Sequence, residues 1–148
     1  MRHGALKALS LIGYLVMAVS AVALIEIGAF FSALPVVIAV QTAAVALLAW
    51  ARIAFGRRSF HFAANPTEGG LVTSGPYRYI RHPIYTAFCV FVWAGVLAHW
   101  SSGAGLCGGL ALGGALLRIF CEETLVVARY PEYRQYAAKT WRMIPYIF

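Results

Sequence analysis

The 148-residue chain contains no aspartate, and its five acidic residues are all glutamate. Charged residues of both signs make up 11% of it, against about 25% in a soluble globular domain. So few charges cannot cover a surface in water, which argues against a soluble enzyme or a charge-rich disordered binder. Cysteine is scarce as well. Cys89, Cys107 and Cys121 all lie in apolar runs, cannot all pair, and show no C-x-x-C or Cys/His spacing. That argues against a secreted disulfide scaffold and offers no metal ligand set, so the three read as small apolar residues. Hydrophobic residues fill 61% of the chain instead, and the class they imply is integral membrane.

A hydrocarbon layer of about 30 Å takes about 20 apolar residues as helix. The hydropathy pattern predicts an all-α bundle of about four transmembrane helices in a single membrane domain, residues 1–148. The spans run over about Ala8–Phe31, Leu34–Phe55, Pro83–Trp100 and Ala104–Cys121. Pro35 and Pro83 stand in first turns, where a missing N–H costs nothing. The fourth helix continues past Glu122 and Glu123 towards Tyr130, because Pro131 is the first strong breaker. Ser32-Ala33 and Ser101-Ser102-Gly103 read as tight hairpins without Lys or Arg. The loop 56–82 holds Arg57, Arg58, Arg78 and Arg81, with Arg52 just before it. Arg2 and Lys7 flank the first span, and Arg129, Arg134, Lys139 and Arg142 lie in the C-terminal segment 122–148. Basic residues on one side only predict both termini and the long loop in the cytosol. The net charge of +7 is then an orientation signal and not a nucleic-acid footprint. Ala21-Val22-Ala23 after a basic, apolar start has features of a cleaved signal peptide, but the apolar stretch is too long, and the first span is read as retained.

Gly105, Gly109 and Gly113 recur every fourth residue, which puts them on one helix face. The expectation is close packing within the bundle, with a lipid-tail groove as the alternative use of that surface.

A few polar residues are not excused by composition. Arg118 lies about 16 Å deeper along its helix than Arg129. Glu122 follows at i+4, so the two can pair, whereas Glu123 is turned by about 100° towards another neighbour. Glu26 is read as snorkelling at the opposite end of the first span. In the long loop, Tyr77-Arg78-Tyr79-Ile80-Arg81-His82 leads directly into Pro83. Pro83 makes His82 a candidate N-cap. The helix N-terminus beside Arg81 and His82 is then a candidate anion site. An interfacial aromatic belt with phosphate-anchoring arginines is the competing reading. Residues Glu132–Arg142 are amphipathic and predict an interfacial helix, after which Ile144–Phe148 folds back.

Three blocks in this order carry a resemblance: LVTSGPYRYIRHPIY (Leu71–Tyr85), Glu122-Glu123, and YPEYRQY (Tyr130–Tyr136) followed by Ile144-Pro145. From about Phe55 to Phe148 the chain resembles the isoprenylcysteine carboxyl methyltransferase family, especially its short bacterial members. The resemblance implies an integral-membrane methyltransferase using S-adenosylmethionine, unrelated in fold to the soluble Rossmann-like enzymes. It implies a cofactor pocket built from Arg81, His82, Pro83, Tyr85, Glu122 and Glu123, and a substrate channel opening sideways to lipid. The chain departs from the family at Ala87, where glycine is frequent, and at Lys139 and Trp141, where eukaryotic members have arginine and proline. Lys139 keeps the charge but not the bidentate fork.

Arg118 and Tyr85 are the candidate catalytic residues, and Arg118, Lys139 and Tyr133 the candidate substrate-binding residues. The expected acceptor is a lipophilic or lipidated molecule presenting a carboxylate, already ionised at neutral pH. An amine or thiol acceptor would instead need proton removal, with Tyr85 or His82 to assist. The alternatives are an NADPH-dependent reductase of the steroid 5α-reductase type and a non-catalytic membrane scaffold. Membrane lipids are the other expected partners.

Overall fold

The computed structural model describes residues 3–56 and 70–148. Arg2, Arg57 and Arg58 of the basic flank lie outside the described residues. The protein is all-helical, and among the described residues no strand forms. Among the described residues five helices follow in order: α1 His3–Glu26, α2 Pro35–Phe55, α3 Pro83–Ala98, α4 Ser102–Arg129 and the short α5 Tyr133–Ala137. A 3₁₀ turn, Gly75–Arg78, precedes α3. α1 packs along α4, α4 meets α3, and α3 lies against α2.

Helix α1 stops at Glu26, five residues before the expected end at Phe31. The cause is Gly28, which takes φ +70°. Its N–H bonds the Ile25 carbonyl at 3.0 Å and the Ala29 N–H reaches back to Leu24 at 2.8 Å. That is a glycine-terminated Schellman cap, with Leu24 and Ala29 packed together beneath it. The connection to α2 therefore spans 27–34 and not two residues. Buried Gln41 fastens it, donating to the carbonyls of Phe30 at 2.8 Å and Phe91 at 3.3 Å. Helix α4 begins on Ser101, whose Oγ accepts from the Ala104 N–H at 3.0 Å. Such a cap contributes about 1 kcal/mol.

α1, α2 and α4 are long and apolar enough to cross a membrane, whereas α3 has 16 residues. At 1.5 Å per residue α3 spans about 24 Å and α4 about 42 Å, against a layer of about 30 Å. One end of α4 therefore stands clear of the hydrocarbon. Outward side chains such as Leu15, Val19, Val36, Ile53, Leu97 and Leu106 are exposed apolar surface, as an integral membrane bundle requires and a soluble protein rarely shows.

The core follows the α1–α4 seam. It runs from Leu6, Cys121 and Leu125, through Met17, Cys89, Ala115 and Ile119, to Leu24, Val92, Val96, Ala104 and Ala111. The glycines are used differently from the expectation. Gly109 and Gly113 have open space where a Cβ would stand, and Gly105 meets only the Trp100 ring. The close approach is made by Gly114 and Gly13: a Cβ on either would lie 2.7–2.8 Å from the other's carbonyl oxygen. The fourfold repeat thus sits on the open side of α4, and the contact face is set by Ala104, Gly108, Ala111, Gly114, Ala115 and Arg118.

The C-terminal segment also differs from the expected interfacial helix over 132–142. Helix α5 ends at Ala137. Beyond it Trp141 forms an isolated parallel bridge to Ile80. The N–H groups of Arg81 and His82 bond the carbonyls of Trp141 at 2.7 Å and Arg142 at 2.9 Å. Those cross-chain bonds take the place of a continued helix. Met143, and not Ile144–Phe148, makes the buried return contact, among Met17, Cys89, Ala115 and Ile119. Tyr146 and Ile147 stay exposed.

Candidate active site

In the C-terminal half of α4, helical geometry sets Arg118 and Glu122 on one face, and Arg118 Nη2 lies 3.2 Å from Glu122 Oε1. Tyr85, in the first turn of α3, stands between them. Its hydroxyl accepts from Arg118 Nε at 2.7 Å and donates to Glu122 Oε1. The buried Arg118 also donates to the Ser10 carbonyl at 3.2 Å, and its guanidinium lies 5.4 Å from the centre of the Tyr14 ring. α1 thus supplies half of its surroundings.

Glu123 faces the other way and collects four donors. Its Oε1 accepts from Arg81 Nε at 2.8 Å and Tyr133 Oη at 3.1 Å, with His82 Nε2 at 3.3 Å, and its Oε2 accepts from Arg142 Nε at 3.0 Å. Arg81 Nη1 adds bonds to the carbonyls of Ala137, at 2.9 Å, and Thr140. One guanidinium therefore ties α4 to the C-terminal turn. Burial raises the Tyr133 phenol above its ordinary value, and the Glu123 charge adds to that. Burial also pushes Tyr136 up, to about 12. Both phenols are protonated donors at neutral pH, and Tyr136 uses its proton on the Tyr77 carbonyl at 2.6 Å.

The two glutamates are therefore not equivalent. The Glu123 side chain is 15% exposed and both its oxygens are bonded. The Glu122 side chain is 25% exposed, and its Oε2 lies 3.9 Å from His82 Nδ1. That is beyond hydrogen-bond range, so among the described residues this oxygen has no hydrogen-bond partner.

Of the residues singled out from sequence, Arg81, His82, Tyr85, Arg118, Glu122, Glu123 and Tyr133 converge here, and Pro83 starts the helix that carries Tyr85. Lys139 does not join them: it is exposed, and the bond it makes is from its backbone N–H to Tyr136. His82 is the α3 N-cap residue but makes no side-chain cap bond. Arg81 and His82 turn onto Glu123, so the expected anion site at that terminus has its cations engaged by an internal carboxylate. Sequence reasoning missed Arg142, which is read there only as part of a basic flank. It also missed Ser10 and Tyr14, for which small residues at Ser10 and Gly13 in an apolar helix are the available signal. No cluster of metal ligands occurs among the described residues.

Comparison with curated proteins and with solved structures yields no match. A sequence model of the phospholipid methyltransferase family matches residues 30–133, from the α1–α2 connection to the start of α5. The match contains Arg81, His82, Tyr85, Arg118, Glu122, Glu123 and Tyr133, and it leaves out all of α1 and the last turn with Arg142. It is the grouping that includes the isoprenylcysteine carboxyl methyltransferases resembled by the motifs. Covering well over half of the 148 residues, the match shows that the chain belongs to the phospholipid methyltransferase family, a family of membrane methyltransferases.

Proposed function

We propose that the chain, acting as a single membrane domain with both termini in the cytosol, transfers a methyl group from S-adenosylmethionine to a lipophilic acceptor. The cofactor site is the charged cluster at the end of α4. The observation that carries this reading is that, among the described residues, Glu122 Oε2 has no hydrogen-bond partner, whereas both oxygens of the neighbouring Glu123 are bonded. An ammonium or a pair of ribose hydroxyls needs an ionised acceptor in partly desolvated surroundings, and charge-assisted bonds are strong there. Glu122 fits that requirement, and Tyr85 and Arg118 hold its other oxygen in place. The first turn of α3 has N–H groups without intrahelical partners, which suit the cofactor's carboxylate, with the Arg81 guanidinium close by. Glu123 is assigned to assembly of the site.

S-adenosylmethionine, when bound, supplies a methyl group activated on a sulfonium. The protein's part is to orient the two reactants and exclude water, and positioning of this kind accounts for a large share of catalysis in bimolecular transfers. The acceptor enters from the membrane. A carboxylate nucleophile requires no base. A lipid amine is the second reading, favoured by the family's description as phospholipid methyltransferases and by the engagement of Arg118 inside the bundle. The family match does not favour the reductase alternative.

The test is ligand stabilisation of the purified protein in detergent. S-adenosylhomocysteine at about 100 times its dissociation constant should raise the melting temperature by on the order of 5 °C, and NADPH should leave it unchanged. A rise with NADPH alone would overturn the reading.

A further inference from the structure

α1 lies wholly outside the family match, yet it packs around the Arg118 side chain of α4. Gly13 is where α1 comes closest: a Cβ there would lie 2.8 Å from the Gly114 carbonyl oxygen and 3.0 Å from Arg118 Cγ. That approach brings the Ser10 carbonyl to 3.2 Å from Arg118 Nη1 and the Tyr14 ring under the guanidinium at 5.4 Å. The Tyr85 ring lies on the same guanidinium at 5.7 Å, so Arg118 is held between an aromatic ring of α1 and one of α3. Arg118 in turn bonds Tyr85 Oη and Glu122 Oε1. The orientation of the Glu122 carboxylate therefore depends on a chain of contacts that begins in α1.

We propose that Tyr14 is a positioning residue for the site: its ring fixes the Arg118 guanidinium, and through it directs the Oε2 of Glu122. The inference rests on the cofactor site proposed above. A cation over an aromatic face is attracted by the ring quadrupole, most strongly when desolvated. Leucine keeps the apolar bulk of Tyr14 without a π face, whereas phenylalanine keeps the face without the hydroxyl. Phenylalanine therefore preserves the interaction and leucine removes it.

The experiment compares wild-type protein, Tyr14→Phe, Tyr14→Leu and Leu15→Ala, the last on the exposed side of α1. S-adenosylhomocysteine affinity is measured by calorimetric titration, and the melting temperature of each unliganded protein is recorded. The expected result is an affinity about three- to tenfold weaker for Tyr14→Leu, a smaller loss for Tyr14→Phe, and Leu15→Ala within twofold of wild type, with all four proteins folded. Wild-type affinity in Tyr14→Leu, or an equal loss in Tyr14→Phe, overturns the positioning role while leaving the cofactor site intact. Failure of the wild-type protein to bind at all overturns the cofactor site, and this inference with it.

Discussion

Replacing Glu123 by alanine lowers stability by about 3–5 kcal/mol, the usual cost of removing one partner from a buried charge network. It leaves Arg81 and His82 without their carboxylate and releases Tyr133 and Arg142. These groups come from the turn before α3, from α5 and from the C-terminal turn, so the loss is concentrated at one end of the bundle. Limited proteolysis should show residues 130–148 becoming cleavable while the α1–α4 seam stays protected. Glu123→Gln keeps an acceptor but not the charge, and should fall between the two. Glu132→Ala, on an exposed glutamate of the same segment, should change stability by no more than about 0.5 kcal/mol. Equal stability of Glu123→Ala and Glu132→Ala would show that Glu123 does not organise this end.

The second large effect is Gly114→Leu. A Cβ alone would stand 2.7 Å from the Gly13 carbonyl oxygen and 2.9 Å from Met17 Cγ, and a leucine adds three more carbons. α1 must move away from α4, and overpacking of this kind costs about 1–3 kcal/mol or more. At Gly109 and Gly113 a Cβ would meet nothing within 4 Å. Leucine has the better helix propensity by about 0.8 kcal/mol, so these two should be neutral or stabilising in a denaturation series. A drop in stability at Gly109 or Gly113 comparable with that at Gly114 would place the helix contact on the wrong face of α4.

That contrast shows what a sequence can and cannot disclose here. The helices were legible because apolar length, Pro35, Pro83 and Pro131 act locally. The Arg118–Glu122 pair was legible for the same reason, since it lies within one helix. The face used by the glycines was not, because the fourfold spacing of Gly105, Gly109 and Gly113 identifies a smooth stripe without saying whether a neighbour occupies it. The end of α1 was misjudged because hydropathy runs on through Phe31 while Gly28, a local stop, carries little weight in a hydropathy window. The four donors of Glu123 come from positions 81, 82, 133 and 142. Only the folded backbone, with the Ile80–Trp141 bridge between them, brings such distant residues together. Arg142 has no local pattern that separates it from the other basic residues of the flank. The C-terminal helix was overestimated because amphipathic spacing ignores competition. The carbonyls of Ala137 and Thr140 bond the Arg81 guanidinium, and the backbone of Trp141 and Arg142 pairs with 79–82.

The most direct measurement is methyl transfer itself. Purified protein in lipid vesicles would be given S-adenosylmethionine labelled on its methyl group, and label would be counted in the lipid extract before and after mild alkaline hydrolysis, which releases methyl from esters but not from amines. The account predicts label in the lipid fraction with wild-type protein. It predicts at least about a tenfold loss with Glu122→Gln, whose neutral amide gives up the charge-assisted acceptor, in a protein that still folds. Absence of transfer by the wild-type protein, or undiminished transfer by Glu122→Gln, would contradict it.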